Sequence, residues 1–237
     1  MGHVQRCPIP FGAHRSVCVS AIVRSLPQPI KCEDASKPKL LHLFSGPSDR
    51  ADGFRHHLDS FGWEAEEIDV ANVRNGLGTL ADHDLNSDAL WQRLLIRAQS
   101  REFAFVWFGT PCSTWSAFRG VGPGPRPLRS ETELYGLSSP SPPFTGQELE
   151  QLKQGTAYAL RSFLLARAMH AVGGGFAIEN PEPRAGHPSL FKLPEFATLQ
   201  QTTGCQTVDF DQCRFGADTA KPTRIAYSVG GSPEPAP

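Results

Sequence analysis

The chain has 237 residues, 39% of them hydrophobic, enough for one sizeable core and short for two ordinary domains. A formal net charge of −1 provides no overall electrostatic pull toward nucleic acid, which argues against a uniformly basic DNA-binding module. The six cysteines form no C-x-x-C pair and have no histidine at finger spacing, so no zinc or other metal is expected.

Residues 1–39 mix proline, lysine and isolated hydrophobics without a sustained period and are expected to be an N-terminal extension. They carry no apolar run ahead of a cleavage site, and no apolar stretch of about 18 residues occurs anywhere, so neither secretion nor a membrane span is indicated. An intracellular protein with reduced thiols is expected, nuclear in a eukaryote and cytoplasmic in a prokaryote or phage. Leu40-Leu41-His42-Leu43-Phe44 then reads as a buried parallel strand closed by the turn Ser45-Gly46-Pro47. A helix is expected at once, capped by Ser48 or Asp49, with Phe54, Leu58 and Phe61 on one face and Gly62 at its end.

Residues 64–70 read as a second strand ending near Asp69, residues 86–98 as a helix with Leu90, Leu94 and Leu95 inward, and residues 103–108 as a third strand ending in Gly109-Thr110-Pro111-Cys112. A long Pro/Gly/Ser loop fills 119–146; loops of that length in a compact domain are commonly functional, and its Arg119, Arg126 and Arg129 form either a local basic patch or a solvated surface. Thr145-Gly146-Gln147-Glu148 is a capping box opening a helix with Leu149, Leu152, Leu160, Phe163 and Leu164 at helical spacing, up to Gly173. A strand at 176–178 delivers Glu179-Asn180-Pro181, a short helix covers 190–199, and two strands at 207–211 and 223–229 finish the domain, with Cys205 and Cys213 expected near each other on strands. Residues 230–237 are expected to be a disordered tail.

Strands alternating with helices predict a doubly wound, mostly parallel α/β sheet over 40–229. Ligands bind such sheets outside the carboxyl ends of the strands, which groups five positions into one candidate site. They are Phe44-Ser45-Gly46, Asp69, Cys112, Glu179, and Gln212 with Arg214. The first turn and Asp69 suit a nucleoside-type cofactor, although an ordinary turn and a strand-end carboxylate read equally well. Cys112 is either a nucleophile or a small buried hydrophobe; Glu179 either acts on a ligand or caps a helix; Arg214 has Asp211 and Asp218 as further partners.

Thr110-Pro111-Cys112-Ser113-Thr114-Trp115-Ser116 resembles the Pro-Cys nucleophile loop of the DNA cytosine carbon-5 methyltransferases. Leu43-Phe44-Ser45-Gly46 with Gly53-Phe54 is similar to their cofactor loop, Glu179-Asn180-Pro181 to their Glu-Asn motif, and Gln212-Cys213-Arg214 to their Gln-x-Arg motif, all in family order. The resemblance implies a Rossmann-like S-adenosylmethionine-dependent methyltransferase fold. It assigns catalysis to Cys112, Glu179 and Arg214, and cofactor binding to Phe44, Ser45, Gly46, Asp69, Asp84 and Pro111. DNA would be contacted by Ser113, Ser116, Arg119, Asn180 and Gln212. A Cys112 covalent adduct to a flipped cytosine is implied, with the 119–146 loop closing over it. The chain departs from the family in lacking the second glycine of the cofactor loop and in carrying Pro181 after Glu179-Asn180. Nothing after Arg214 corresponds to the family's target-recognition domain, so a protein partner or fused domain is expected to supply it. Such compact forms resemble those of phages and retroelements. The alternative from another class is a degenerate methyltransferase-fold interaction module without catalysis.

Overall fold

The computed structural model describes residues 37–49, 53–121, 123–215 and 220–230. Residues 1–36 of the expected extension, residues 231–237 of the expected tail and Asp218 lie outside the described residues. Six strands, β1 (Lys39–Leu43), β2 (Glu64–Ile68), β3 (Phe105–Phe108), β4 (Gly175–Pro181), β5 (Gln206–Asp211) and β6 (Pro222–Ser228), form one sheet in the order β2-β1-β3-β4-β6-β5. β1 to β4 are parallel, while β6 runs antiparallel between β4 and β5. The fold is therefore mixed α/β with a mostly parallel sheet.

The central strands are apolar at successive positions because both faces are covered. Leu41, Leu43, Val106, Phe108, Phe176 and Ile178 point into one core. That core is closed by α4 (Asp88–Gln99), α5 (Gly146–Ala171) and α6 (Pro194–Thr203). Leu40, Phe105, Trp107 and Ala177 point the other way, against Leu58 of α1 (Phe54–Ser60) and Trp63. Two short helices, α2 (Val70–Arg74) and α3 (Leu80–His83), follow β2. From β1 the chain passes to β2 on one side and then crosses to β3 on the other, so the strand order reverses between β1 and β3, where such sheets open a crevice at the carboxyl edge.

Several boundaries differ from expectation, each for a local reason. The first helix starts at Phe54 with Gly53 as its cap and no side-chain cap bond, not at Ser48 or Asp49. Ser48 N instead donates to Asn72 Oδ1. Phe61 leaves the helical face at the C-cap, where Gly62 turns at φ +76°, and Trp63 fills the core in its place. β2 ends at Ile68 because Asp69 accepts from Ala71 N and starts α2, which leaves Val70 exposed. The expected 190–199 helix is broken at Pro194, which cannot sit inside a helix; a 3-10 turn (Leu190–Lys192) precedes and α6 begins with the proline.

The capping box at Thr145 and Glu148 is formed, but Leu149 and Leu164 are exposed. Twenty-six residues make a helix of about 39 Å, longer than any strand of this sheet, and Leu149 lies in its first turn, ahead of the first buried position, Leu152. Leu164 lies one residue off the buried stripe of Leu152, Ala159, Phe163 and Ala166. Cys205 and Cys213 are both buried, at opposite ends of β5 and not beside each other on paired strands.

Candidate active site

The turn after β3 is held from three sides. Gly109 N donates to Leu43 O at 3.0 Å, and a Cβ at Gly109 would lie 2.8 Å from the Phe44 carbonyl oxygen, so only glycine lets the β1 and β3 ends approach this closely. The buried Thr110 hydroxyl meets Ser162 Oγ of α5 at 3.2 Å. Asn180 Nδ2 donates to Thr110 O at 2.8 Å, tying β4 to the same turn. Trp115 N and Ser116 N both donate to Cys112 O at 2.9 Å and fold the chain sharply past the thiol. Cys112 is half-buried, not sealed in the core.

Opposite the turn, β4 and the β5–β6 connection assemble around Glu179. Its Oε1 accepts from Gln212 Nε2 at 3.1 Å and pairs with Lys221 Nζ at 3.3 Å. Gln212 N donates to Lys221 O, so the two residues that hold Glu179 also hold each other. Glu179 Oε2 accepts no hydrogen bond among the described residues. Cys112, Pro111, Phe44, Ser45, Glu179, Asn180 and Lys221 line one cleft of about 350 Å³. His42, Phe54 and Trp107 supply its aromatic wall, with the Phe54 ring 4.9 Å from His42 and 4.7 Å from Trp107.

A second group of predicted residues gathers on the other side of Phe44. Phe44 itself takes φ +58° and sets its ring 4.9 Å from that of Tyr158. Gly46, at φ +69°, donates its N–H to Asp69 Oδ2 at 3.0 Å, while Asp69 Oδ1 accepts from Ala71 N at 2.8 Å. Asp84 accepts from Asn86, whose Oδ1 takes the Tyr158 hydroxyl at 2.7 Å. Burial, then the charges of Asp84 and Asp69, push the Tyr158 hydroxyl above its ordinary pKa against the opposing Asn86 bond and Arg161 charge.

The remaining site residues are placed elsewhere. Ser113 is exposed, and Ser116 and Arg119 line a separate cleft behind the Cys112 turn. Arg214 is exposed on the 3-10 turn (Gln212–Phe215) and is not among the residues lining the Cys112 cleft, where Lys221 provides the cation. The three loop arginines are not simply solvated: Arg126 pairs with Glu148 at 2.7 Å and Arg129 is fully buried.

Lys221 and His42 were not singled out by sequence. Lys221 reaches Glu179 because β6 inserts antiparallel beside β4, a pairing that local pattern does not reveal. His42 left a visible signal, a polar residue inside an apolar strand. It stands opposite Glu67 in register, with Nδ1 3.8 Å from Glu67 Oε1. Burial works to raise the Glu67 carboxyl, but polar contacts with His42 and Ser48 and the charge of Arg55 outweigh it and hold the pKa below its usual value.

No protein-family model matches this chain, and no curated protein matches it. Among the described residues no helix is long and apolar enough to cross a membrane, and no group of three or more His, Cys, Asp or Glu is placed to hold a metal ion.

Proposed function

We propose that this chain is a DNA cytosine carbon-5 methyltransferase catalytic domain that uses S-adenosylmethionine. One observation carries the reading: Cys112 and Glu179, from different strand ends, face one cleft at the point where the strand order reverses. A mostly parallel α/β sheet is compatible with a Rossmann-like methyltransferase fold. The resemblance of the Pro-Cys and Glu-Asn motifs supplies the chemistry.

The residues beside the cleft suit the cofactor. Asp69 spends one lone pair of each oxygen on Gly46 N and Ala71 N, which fixes its carboxylate and leaves acceptor capacity for ribose hydroxyls. Phe44, Ser45, Gly46, Asp84 and Pro111 complete the set that would hold S-adenosylmethionine. When bound, that cofactor supplies an electrophilic methyl group on a positively charged sulfur.

The protein's own groups do the rest. Cys112, after losing its proton, adds its sulfur to carbon 6 of a flipped cytosine; an S–C bond forms and the ring electron pair moves toward carbon 5. Glu179, anchored through Oε1 by Gln212 and Lys221, keeps Oε2 for the edge of the base, where a proton passed from Oε2 to ring nitrogen 3 takes up the negative charge that the addition develops and returns when the S–C bond breaks. Asn180 acts one step removed, holding the Cys112 turn through Thr110 O. Once carbon 5 has taken the methyl group, its proton leaves to water and the S–C bond breaks, which returns the thiolate.

Incubation with S-adenosylmethionine and cytosine-containing DNA, followed by nucleoside digestion and mass spectrometry, tests the reading. It predicts 5-methylcytosine, lost by at least about 10³-fold in Cys112→Ala, the scale of removing a nucleophile. Product formed equally by Cys112→Ala would sink it.

A further inference from the structure

Behind the Cys112 turn lies a second cleft of about 370 Å³, whose lining includes Thr114, Arg119, Arg129, Ser130 and His187. Arg129 is 1% exposed, with its guanidinium 3.7 Å from the centre of the Trp115 ring. Nη1 donates to Leu134 O and Nη2 to Leu152 O and Thr156 Oγ1, but Nε has no partner. No carboxylate among the described residues pairs with Arg129; the charge acting on it is that of Arg119, which repels it. Burial and this repulsion lower the guanidinium to about 10.

Arg119 has no carboxylate partner among the described residues either. It donates to Arg126 O, Ser113 O and Gln151 Oε1. The Thr114 hydroxyl, 1% exposed, is unpartnered as well. The nearby acids are already spoken for: Glu148 holds Arg126, and Glu131 binds Lys192 and Gly186 N. A buried cation with no compensating charge, a second cation offset only by the charge of Glu148, and two unsatisfied buried polar atoms together are costly unless an anion joins them.

We propose that this second cleft is a phosphate-binding site that takes one phosphate mono- or diester between Arg119, Arg129 and Thr114. The unpartnered Arg129 Nε–H and the Arg119 N–H groups left over from its bonds to Arg126 O, Ser113 O and Gln151 Oε1 supply charge-assisted donors to a phosphate, and the Thr114 hydroxyl adds a donor or acceptor. Thr114 lies two positions after Cys112, a span of at most about 7 Å. A nucleotide whose base enters the Cys112 cleft would thus have a backbone phosphate within reach. Only this assignment of the phosphate to a nucleic acid rests on the function proposed above; the anion site does not.

Calorimetric titration of the full chain, in chloride buffer without cofactor, tests the site with inorganic phosphate and with a cytosine-containing oligonucleotide. Saturable one-to-one phosphate binding is expected, weakened about tenfold or more in Arg119→Gln, the scale of one charge-assisted contact. Thr114→Val deletes an unpartnered hydroxyl, so its melting temperature without phosphate holds or rises while phosphate binding weakens. Competition by the oligonucleotide identifies a backbone phosphate; phosphate binding without competition identifies free phosphate as the ligand. No phosphate binding by the wild type, or equal binding by both variants, overturns the proposal. Phosphate binding in a protein that makes no 5-methylcytosine leaves this site standing and removes only the methyltransferase reading.

Discussion

Glu179 carries its two oxygens in different states, one anchored by Gln212 and Lys221 and the other without a hydrogen bond among the described residues. Glu179→Gln keeps the shape and removes the proton that the carboxyl group would pass to ring nitrogen 3 of the base. Methyl transfer is expected to fall about 10²- to 10³-fold, the scale of losing one charge-stabilising group. The pair with Lys221 is partly exposed and worth less than about 1 kcal/mol, so the denaturation midpoint should barely move. Gly109 gives the opposite pattern. In Gly109→Ala the new methyl meets backbone, not a movable side chain, and destabilisation of about 1–3 kcal/mol is expected in urea titration. Cys112 and Glu179 were legible as residues because each sits in a recognisable motif at a strand end. The division of labour around Glu179 was not, since Lys221 arrives through a strand inserted antiparallel from the far end of the chain.

At the scale of elements, α5 is fitted to the loop it covers. Gly155 sits in its middle, where a Cβ would lie 2.5 Å from Thr114 Oγ1 and 3.3 Å from Arg129 Nη2. Helix propensity alone favours alanine by about 1 kcal/mol. The contact is expected to reverse the sign, so Gly155→Ala destabilises the wild type but does so less in a Thr114→Ala background; equal effects in both would show that the two do not touch. A different device ties α4 to the sheet. Arg97 donates to Glu66 of β2 and to Glu102 ahead of β3, with distances of 2.6 to 2.8 Å. The bonds from Arg97, helped by Lys39 and opposed by burial, hold the Glu102 carboxyl at about 2, whereas an unfolded chain titrates near 4.3. A depressed folded-state value means the stabilisation is complete above about pH 4.3 and is lost as pH falls toward 2. Glu102→Gln should flatten that part of the fall in denaturation midpoint between pH 5 and pH 2.

For the whole molecule, the alternation of apolar strands with helices was enough to indicate the α/β sheet; β1 and β3 lie within two residues of their expected bounds, while β4 runs three residues past its expected end, through Glu179 to Pro181, because β6 pairs with it there. What pattern could not supply was long-range. The helix ends depended on which side chain captured a backbone N–H, as Asp69 did by ending β2. The fate of the Pro-rich loop depended on Arg129 turning inward onto Trp115, where charge alone left a basic patch and a solvated surface equally open. Net charge near neutral remains consistent with recognition through a few local cations and not through a uniformly basic surface.

The most direct test of Cys112 as a nucleophile is a covalent one. The protein is incubated with S-adenosylmethionine and an oligonucleotide containing 5-fluorocytosine, whose fluorine blocks the final elimination, and the mass of the complex is read. The account predicts an adduct that requires both Cys112 and the cofactor. A folded protein that binds the cofactor and the oligonucleotide yet gives no adduct, or one that gives the same adduct as Cys112→Ala, would contradict it.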